Sequence, residues 1–280
     1  MPIDFKKDIL KELLKTLEQL LEQLPSAAIA FSGGVDSTFL VAVTKNIIKG
    51  PLLAVNAASR FVPLTETDQA KAVAARLGVE YVEFQAGMFS NKEVIQNTPQ
   101  RCYFCKKQIF SSIKQIAREK GIHHLLHGVN LDDLGDFRPG LKAAQELGFL
   151  SPLADAGLAK SQIRELSRQM GLATWNKPSQ SCLATRIPYH DIITVQKLAM
   201  IDTAEQVLHD LGFEQVRVRC MGKSAQVEVE PQFVSRITAP EIRQKVSVAL
   251  KKIGFDRISI DMDGYKTGKM NHEISICEIE

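Results

Sequence analysis

Apolar residues at Ile9, Leu10, Leu13, Leu14, Leu17, Leu20, Leu21 and Leu24 recur at helical spacing. The pattern predicts an amphipathic helix over residues 5–24, ended by Pro25 and Ser26. The continuous apolar run 27–31 then fits a strand buried on both faces of a parallel sheet. A glycine-rich turn follows, and residues 38–49 read as a helix. The alternation goes on with strands at 52–56, 81–84 and 124–128, and helices at 66–77, 106–120, 141–146 and 160–170. Strands alternating with helices predict a doubly wound parallel α/β sheet.

The pattern changes after about Pro188. A helix is expected at 192–211, followed by two segments, 216–220 and 225–230, in which apolar and polar residues alternate. Each is read as a half-buried strand. A helix at 240–253 and a strand at 257–261 complete a smaller C-terminal α+β domain. The expected division is 1–188 and 189–280.

Composition sets bounds on this picture. With 280 residues and 45% hydrophobic content, the chain can bury a sizeable core. A net charge of +3 disfavours a nucleic-acid partner, which normally calls for a larger basic excess. No apolar run approaches the roughly 20 residues that span a bilayer. Asp4, Lys6, Lys7, Asp8, Lys11 and Glu12 interrupt the opening apolar positions, unlike a signal peptide. The expected location is therefore cytoplasmic, without a membrane partner. In that reducing compartment the five cysteines, 102, 105, 182, 220 and 277, point to metal or catalytic roles rather than disulfides.

The strongest chemical signal is Ser32-Gly33-Gly34-Val35-Asp36-Ser37, between a buried strand and a helix. Glycines let phosphate approach the backbone without a Cβ clash. Amides at the helix N-terminus then face the anion. Ser32 and Ser37 add hydroxyl donors, and Asp36 is a suitable ligand for Mg²⁺ beside phosphates. Two glycines alone would more often mark a simple tight turn. The spacing is neither that of a Walker loop nor that of a dinucleotide-binding motif.

The hexapeptide resembles the signature of the PP-loop ATP pyrophosphatases, which share an adenine nucleotide α-hydrolase-like fold. The resemblance implies cleavage of ATP between the α and β phosphates. AMP is placed on a substrate oxygen, and a nitrogen or sulfur nucleophile then displaces it. Further stretches narrow the branch: 101–107 (Arg-Cys-Tyr-Phe-Cys-Lys-Lys), 128–133, 136–140, 175–177, 181–189, 216–219 and 264–271. Together they are similar to the LarE family over essentially the whole chain. That family sulfurates pyridinium-3,5-biscarboxylic acid mononucleotide on the way to the nickel-pincer nucleotide. The resemblance also implies a homo-oligomer; a sulfur donor is expected as a partner, with persulfide or sacrificial-cysteine chemistry at Cys182 as an alternative source.

Site residues follow from the same resemblance. ATP is expected on Ala30, Ser32, Gly33, Gly34, Asp36, Ser37, Asn56, Gly128 and Asp132. The substrate is expected on Arg138, Arg186, Glu205, Arg217, Arg219 and Glu228. Asp36, Cys182 and Arg186 are the expected catalytic residues. Family members known best use one sacrificial cysteine near Cys182, and this chain departs from them by having Cys102-x-x-Cys105 as well. It looks like the branch in which Cys102, Cys105 and Cys182 hold a [4Fe-4S] cluster. A CxxC pair alone also fits a zinc half-site, a redox pair or buried structural cysteines. Arg217 and Arg219 share one strand face and suit a phosphate or carboxylate; ordinary ion pairs with acidic neighbours are the simpler alternative. His123, His124 and His127 flank an apolar strand and are read as packing or surface residues. Other functions that fit the loop are tRNA thiolation, an ammonia-using ligase and a nucleotide-sensing module.

Overall fold

The computed structural model describes residues 2–135 and 139–266. They gather into two compact units: the first within 1–59, 64–87 and 102–180, the second within 60–63, 88–101 and 181–280.

The first unit begins with α1 (Pro2–Glu22), β1 (Ala27–Ala30), α2 (Val35–Ile47), β2 (Leu52–Ala58), α3 (Leu64–Leu77) and β3 (Glu80–Gln85). A single-turn helix, α4 (Lys92–Ile95), belongs to the second unit. Next come α5 (Arg101–Glu119), β4 (Leu125–His127), α6 (Pro139–Glu146), β5 (Phe149–Leu150), α7 (Pro152–Asp155) and α8 (Lys160–Gln169). The five strands form one sheet in the order β3-β2-β1-β4-β5, and every pairing is parallel. This is the expected doubly wound architecture. Alternate residues of β1 enter different cores, as the period of two requires. Ala27 and Ile29 pack with Leu10, Leu17, Leu21, Phe39 and Leu40. Ala28 packs with Phe110, Ile113, Ala117 and Ile122.

Several helices begin earlier than the apolar pattern indicates, and two of these bear on the candidate site. α2 starts at Val35, so Asp36 and Ser37 lie in its first turn. α5 starts at Arg101, so Cys102 and Cys105 are helical. In both cases the first turn carries polar or sulfur side chains, which hide the 3.6-residue period. β5, α4 and α7 were not expected; two to four residues are too few to show a period.

The second unit holds α9 (Val195–Asp210), β6 (Val216–Met221), β7 (Ser224–Val229), α10 (Val234–Thr238), α11 (Pro240–Ile253) and β8 (Arg257–Ile260). Its sheet has the order β6-β7-β8, with β6 and β7 antiparallel and β7 and β8 parallel. Leu198, Ile201, Ala204 and Leu208 of α9 are buried, as are Val216, Val218 and Cys220 of β6. Among the described residues, no helix is long and apolar enough to cross a membrane.

Candidate active site

In the first sheet the chain moves to opposite sides of β1 and β4. Such a switch point leaves a crevice beyond the carboxyl ends of the two strands, where open α/β sheets take ligands. Residues 32–37 follow β1 there, and Gly128 follows β4.

Geometry explains both glycine requirements. Gly33 has φ +69°, and a Cβ on it would lie 2.7 Å from Ala70 Cα. Gly128 faces the start of α2; a Cβ there would meet the Ser37 amide nitrogen at 3.0 Å. Gly34 is the N-cap of α2 and gives no side-chain cap to the first-turn amides. Those amides are the donors that a phosphate chain needs. The loop is braced from within: Ser32 Oγ lies 3.1 Å from Ser37 Oγ and accepts the Gly34 N–H at 3.3 Å. Asn56 donates to Phe31 O at 2.8 Å, and its own Oδ1 is buried with no hydrogen-bond partner. An orphaned acceptor beside the loop is a ready partner for a ligand N–H or O–H. Gly33→Ala is expected to cost about 1–3 kcal/mol through positive φ and the Ala70 clash, read as a lowered urea midpoint, together with weakened ATP binding.

Asp36 has two side-chain partners. Lys160 Nζ donates to its Oδ2, and Asn130 Nδ2 to its Oδ1 at 3.4 Å. Asp132 Oδ2 in turn accepts the Lys160 amide at 2.9 Å. Asn130 Oδ1 accepts the Asp132 amide at 3.0 Å. Asp36, Gly128, Asn130, Asp132 and Lys160 therefore form one polar group at the switch point. Asp36 and Lys160 remain 21% and 30% exposed, so an arriving ligand can reach both. Beside Gly33, Lys177 pairs at 2.7 Å with Glu66, one helical turn before Ala70. Neither Lys160 nor Asn130 was anticipated from the sequence. The signal for Lys160 was a cation at the first position of a helix, where the dipole disfavours it.

His127 belongs to the core. It lies between Phe110 and Phe149, with Nε2 2.7 Å from Ser151 Oγ. Burial, with a smaller push from Lys106, lowers its pKa to about 4. It is therefore neutral near pH 7.

The second unit contains a buried ionic cluster. Arg186 is 1% exposed and grips Glu205 bidentately, at 2.8 and 2.9 Å. Glu205 Oε1 also accepts the Val218 amide at 2.9 Å. Arg219 Nε donates to Glu228 Oε1 at 2.6 Å. Arg217 is directly opposite Glu228 in the β6–β7 register. Its guanidinium lies 5.1 Å from the centre of the Tyr265 ring. Burial lowers the Arg217 pKa, and the nearby Arg186 charge lowers it further. Among the described residues, the cluster counts three guanidinium groups against two carboxylates. Ion pairs of the kind expected as the simpler alternative join Arg186 to Glu205 and Arg219 to Glu228, and among the described residues the guanidinium groups outnumber the carboxylates by one.

The other predicted residues are placed as follows. Ala30 ends β1, opposite Val55 and His127. Cys102 is exposed and Cys105 partly exposed in the first turns of α5. Cys182 is partly exposed and caps the short 3-10 turn Leu183–Arg186. Cys220 is buried, and its burial raises the thiol pKa. Among the described residues, no three His, Cys, Asp or Glu side chains are arranged to hold a metal ion. Arg138, Asp136, Cys277 and residues 267–271 lie outside the described residues.

The asparagine synthase family model matches residues 8–118, which carry the loop. A pyridinium-3,5-bisthiocarboxylic acid mononucleotide synthase of Lactiplantibacillus plantarum is 31% identical over 257 residues, 91% of this chain and 92% of that protein. The chain belongs to the LarE family. An uncharacterized protein of Synechocystis sp. is 37% identical over 256 residues, covering 90% of this LarE-family chain and 94% of its own length. A tRNA-specific 2-thiouridylase MnmA of Desulforamulus reducens is 29% identical over 194 residues, 54% of this chain and 52% of that protein. This LarE-family chain is thus a PP-loop enzyme that uses ATP.

Proposed function

We propose that the chain adenylates the carboxylates of pyridinium-3,5-biscarboxylic acid mononucleotide and converts them to thiocarboxylates. The observation that carries this reading is the surplus guanidinium of the second unit. Among the described residues, Arg186, Arg217 and Arg219 face only Glu205 and Glu228, which leaves one more positive than negative charge. A substrate phosphate or carboxylate supplies the missing negative charge and takes bidentate donors well.

The chemistry follows in two steps. Amides of residues 34–37, with Ser32 and Ser37, hold the phosphates, while Asn56, Gly128 and Asp132 border the nucleotide. Asp36 would hold Mg²⁺, which would neutralise phosphate charge, and Lys160 beside it balances charge on the departing pyrophosphate. A substrate carboxylate oxygen attacks the α-phosphorus; the bond to the β-phosphate breaks, and pyrophosphate leaves with the electron pair. Sulfide sulfur then attacks the acyl carbon, and AMP leaves with the carbon–oxygen bonding pair. Preorganised donors that meet charge as it develops supply most of the acceleration.

Cys102, Cys105 and Cys182 are the residues that would hold a [4Fe-4S] cluster. Thiolates are the ligands such a cluster takes, and Cys102 and Cys105 lie one helical turn apart; that Cys182 joins them rests on the family resemblance. When bound, the cluster supplies an iron without a cysteine ligand on which sulfide can be delivered. Protein prepared anaerobically is expected to contain about four irons per chain, and Cys105→Ser is expected to lose most of them. Iron-free protein after anaerobic reconstitution would contradict the cluster. The resemblance further supports a cytoplasmic homo-oligomer.

Substrate choice is tested by pyrophosphate release with ATP and each candidate acceptor. Release should depend on the pyridinium mononucleotide. Dependence on tRNA instead, falling steeply with salt, would favour the thiouridylase-like reading.

A further inference from the structure

The turn that carries Cys182 is held in part by Asn97 and Arg101, to which neither the sequence reading nor the proposed reaction gives a role. Asn97 is fully buried and has φ +56°, a conformation non-glycine residues rarely adopt. Its Nδ2 donates to Ile187 O at 3.1 Å and to Pro188 O at 2.6 Å. Its backbone carbonyl accepts the His190 amide at 3.0 Å. Arg101, only 3% exposed, donates through Nη1 to Asn97 Oδ1 and to Ala184 O at 3.2 Å. Two more guanidinium groups reach the same turn. Arg186 Nη1 meets Ser181 O at 3.0 Å and Cys182 O at 3.1 Å, and Arg219 Nη1 meets Thr185 O at 3.4 Å. The Leu183 amide is tied to Phe61 O at 2.8 Å.

Carbonyls of Ser181, Cys182, Ala184, Thr185, Ile187 and Pro188 are thereby all anchored by side chains. A buried guanidinium is a poor way to stabilise a fold, because its desolvation offsets its attractions. It is a good way to fix the direction of carbonyl groups. Glycine would suit the Asn97 backbone better, so the asparagine is explained by what its amide holds. We propose that Arg101 and Asn97 are positioning residues that fix the orientation of Cys182 for sulfur transfer. This rests on the sulfur-transfer reading of Cys182.

The test uses full-length Asn97→Gly and, separately, Arg101→Lys. Glycine accepts φ +56° and keeps the backbone path while deleting the side-chain ties. In reduced, chelator-treated protein, iodoacetamide labelling of Cys182 is followed by peptide mass spectrometry. The fully buried Cys220 serves as the internal reporter of unfolding. Both variants are expected to change the Cys182 labelling rate several-fold with Cys220 still protected. Sulfur incorporation should fall about tenfold or more, as ångström-scale misplacement of a reacting group does, while ATP-dependent pyrophosphate release stays close to that of the parent. Unchanged Cys182 labelling in both variants overturns the proposal. So does labelling of Cys220 together with Cys182, which would assign the two residues to fold stability alone. Wild-type protein that transfers no sulfur would defeat the proposed reaction, and the labelling result would still decide whether Arg101 and Asn97 orient Cys182.

Discussion

Glu205→Ala is expected to destabilise the second unit by roughly 3–5 kcal/mol, the usual cost of stripping one partner from a buried ion pair. Glu205 is 5% exposed and serves three donors: Arg186 Nε, Arg186 Nη2 and the Val218 amide. Alanine leaves Arg186, itself 1% exposed, with a guanidinium beyond the reach of water. The Val218 amide in β6 loses its acceptor as well. Domains are stable by only about 5–15 kcal/mol in total, so the variant should unfold at far lower urea or fail to accumulate. Glu205→Gln keeps an acceptor oxygen and should cost clearly less. Urea titrations of the three proteins check this. A loss below about 1 kcal/mol in the alanine variant, the range of exposed pairs, would show that Arg186 finds water after all.

Asp36→Ala should have the largest effect on chemistry while sparing the fold. Pyrophosphate release is expected to fall about a hundredfold to a thousandfold, as when one preorganised electrostatic group is removed from an active site. The fold should survive because Asp36 and its partner Lys160 are both partly exposed, and water replaces the lost contact. Asp36→Asn keeps the shape and the Asn130 contact but removes the charge; it should be nearly as inactive if magnesium binding is the role. Pyrophosphate release measured over a magnesium titration checks both variants, with circular dichroism as the control for folding. Full turnover in either variant would refute the magnesium assignment.

Much of the architecture is legible in the sequence, for physical reasons that also mark the limits. β1 and β2 are buried on both faces and appear as continuous apolar runs. The tail strands β6 and β7 are recognised by alternation, and the pairing of Arg217 and Arg219 on one face follows from the same period. Helix starts are less legible where the first turn carries polar or sulfur side chains: Asp36 and Ser37 in α2, Cys102 and Cys105 in α5. The PP-loop and Gly128 are found from the sequence, and the structure adds why each must be glycine. Lys160 and Asn130 join Asp36 only through tertiary folding, from 124 and 94 positions away in the sequence. Burial of Arg101 and Asn97 is likewise a property of packing, and nothing in their local sequence announces it. Arg186 and Glu205 are singled out by family resemblance, but only the coordinates show that Arg186 spends its donors on Glu205 and on the turn carrying Cys182.

The account is tested most directly by incubating the anaerobically reconstituted protein with ATP, magnesium, a sulfide source and pyridinium-3,5-biscarboxylic acid mononucleotide, and reading the nucleotide by mass spectrometry. The predicted result is a sulfur-for-oxygen mass gain on its carboxylates, with AMP and pyrophosphate formed in step and neither product seen with Asp36→Ala. ATP cleavage to AMP and pyrophosphate with the mononucleotide left unsulfurated would contradict it.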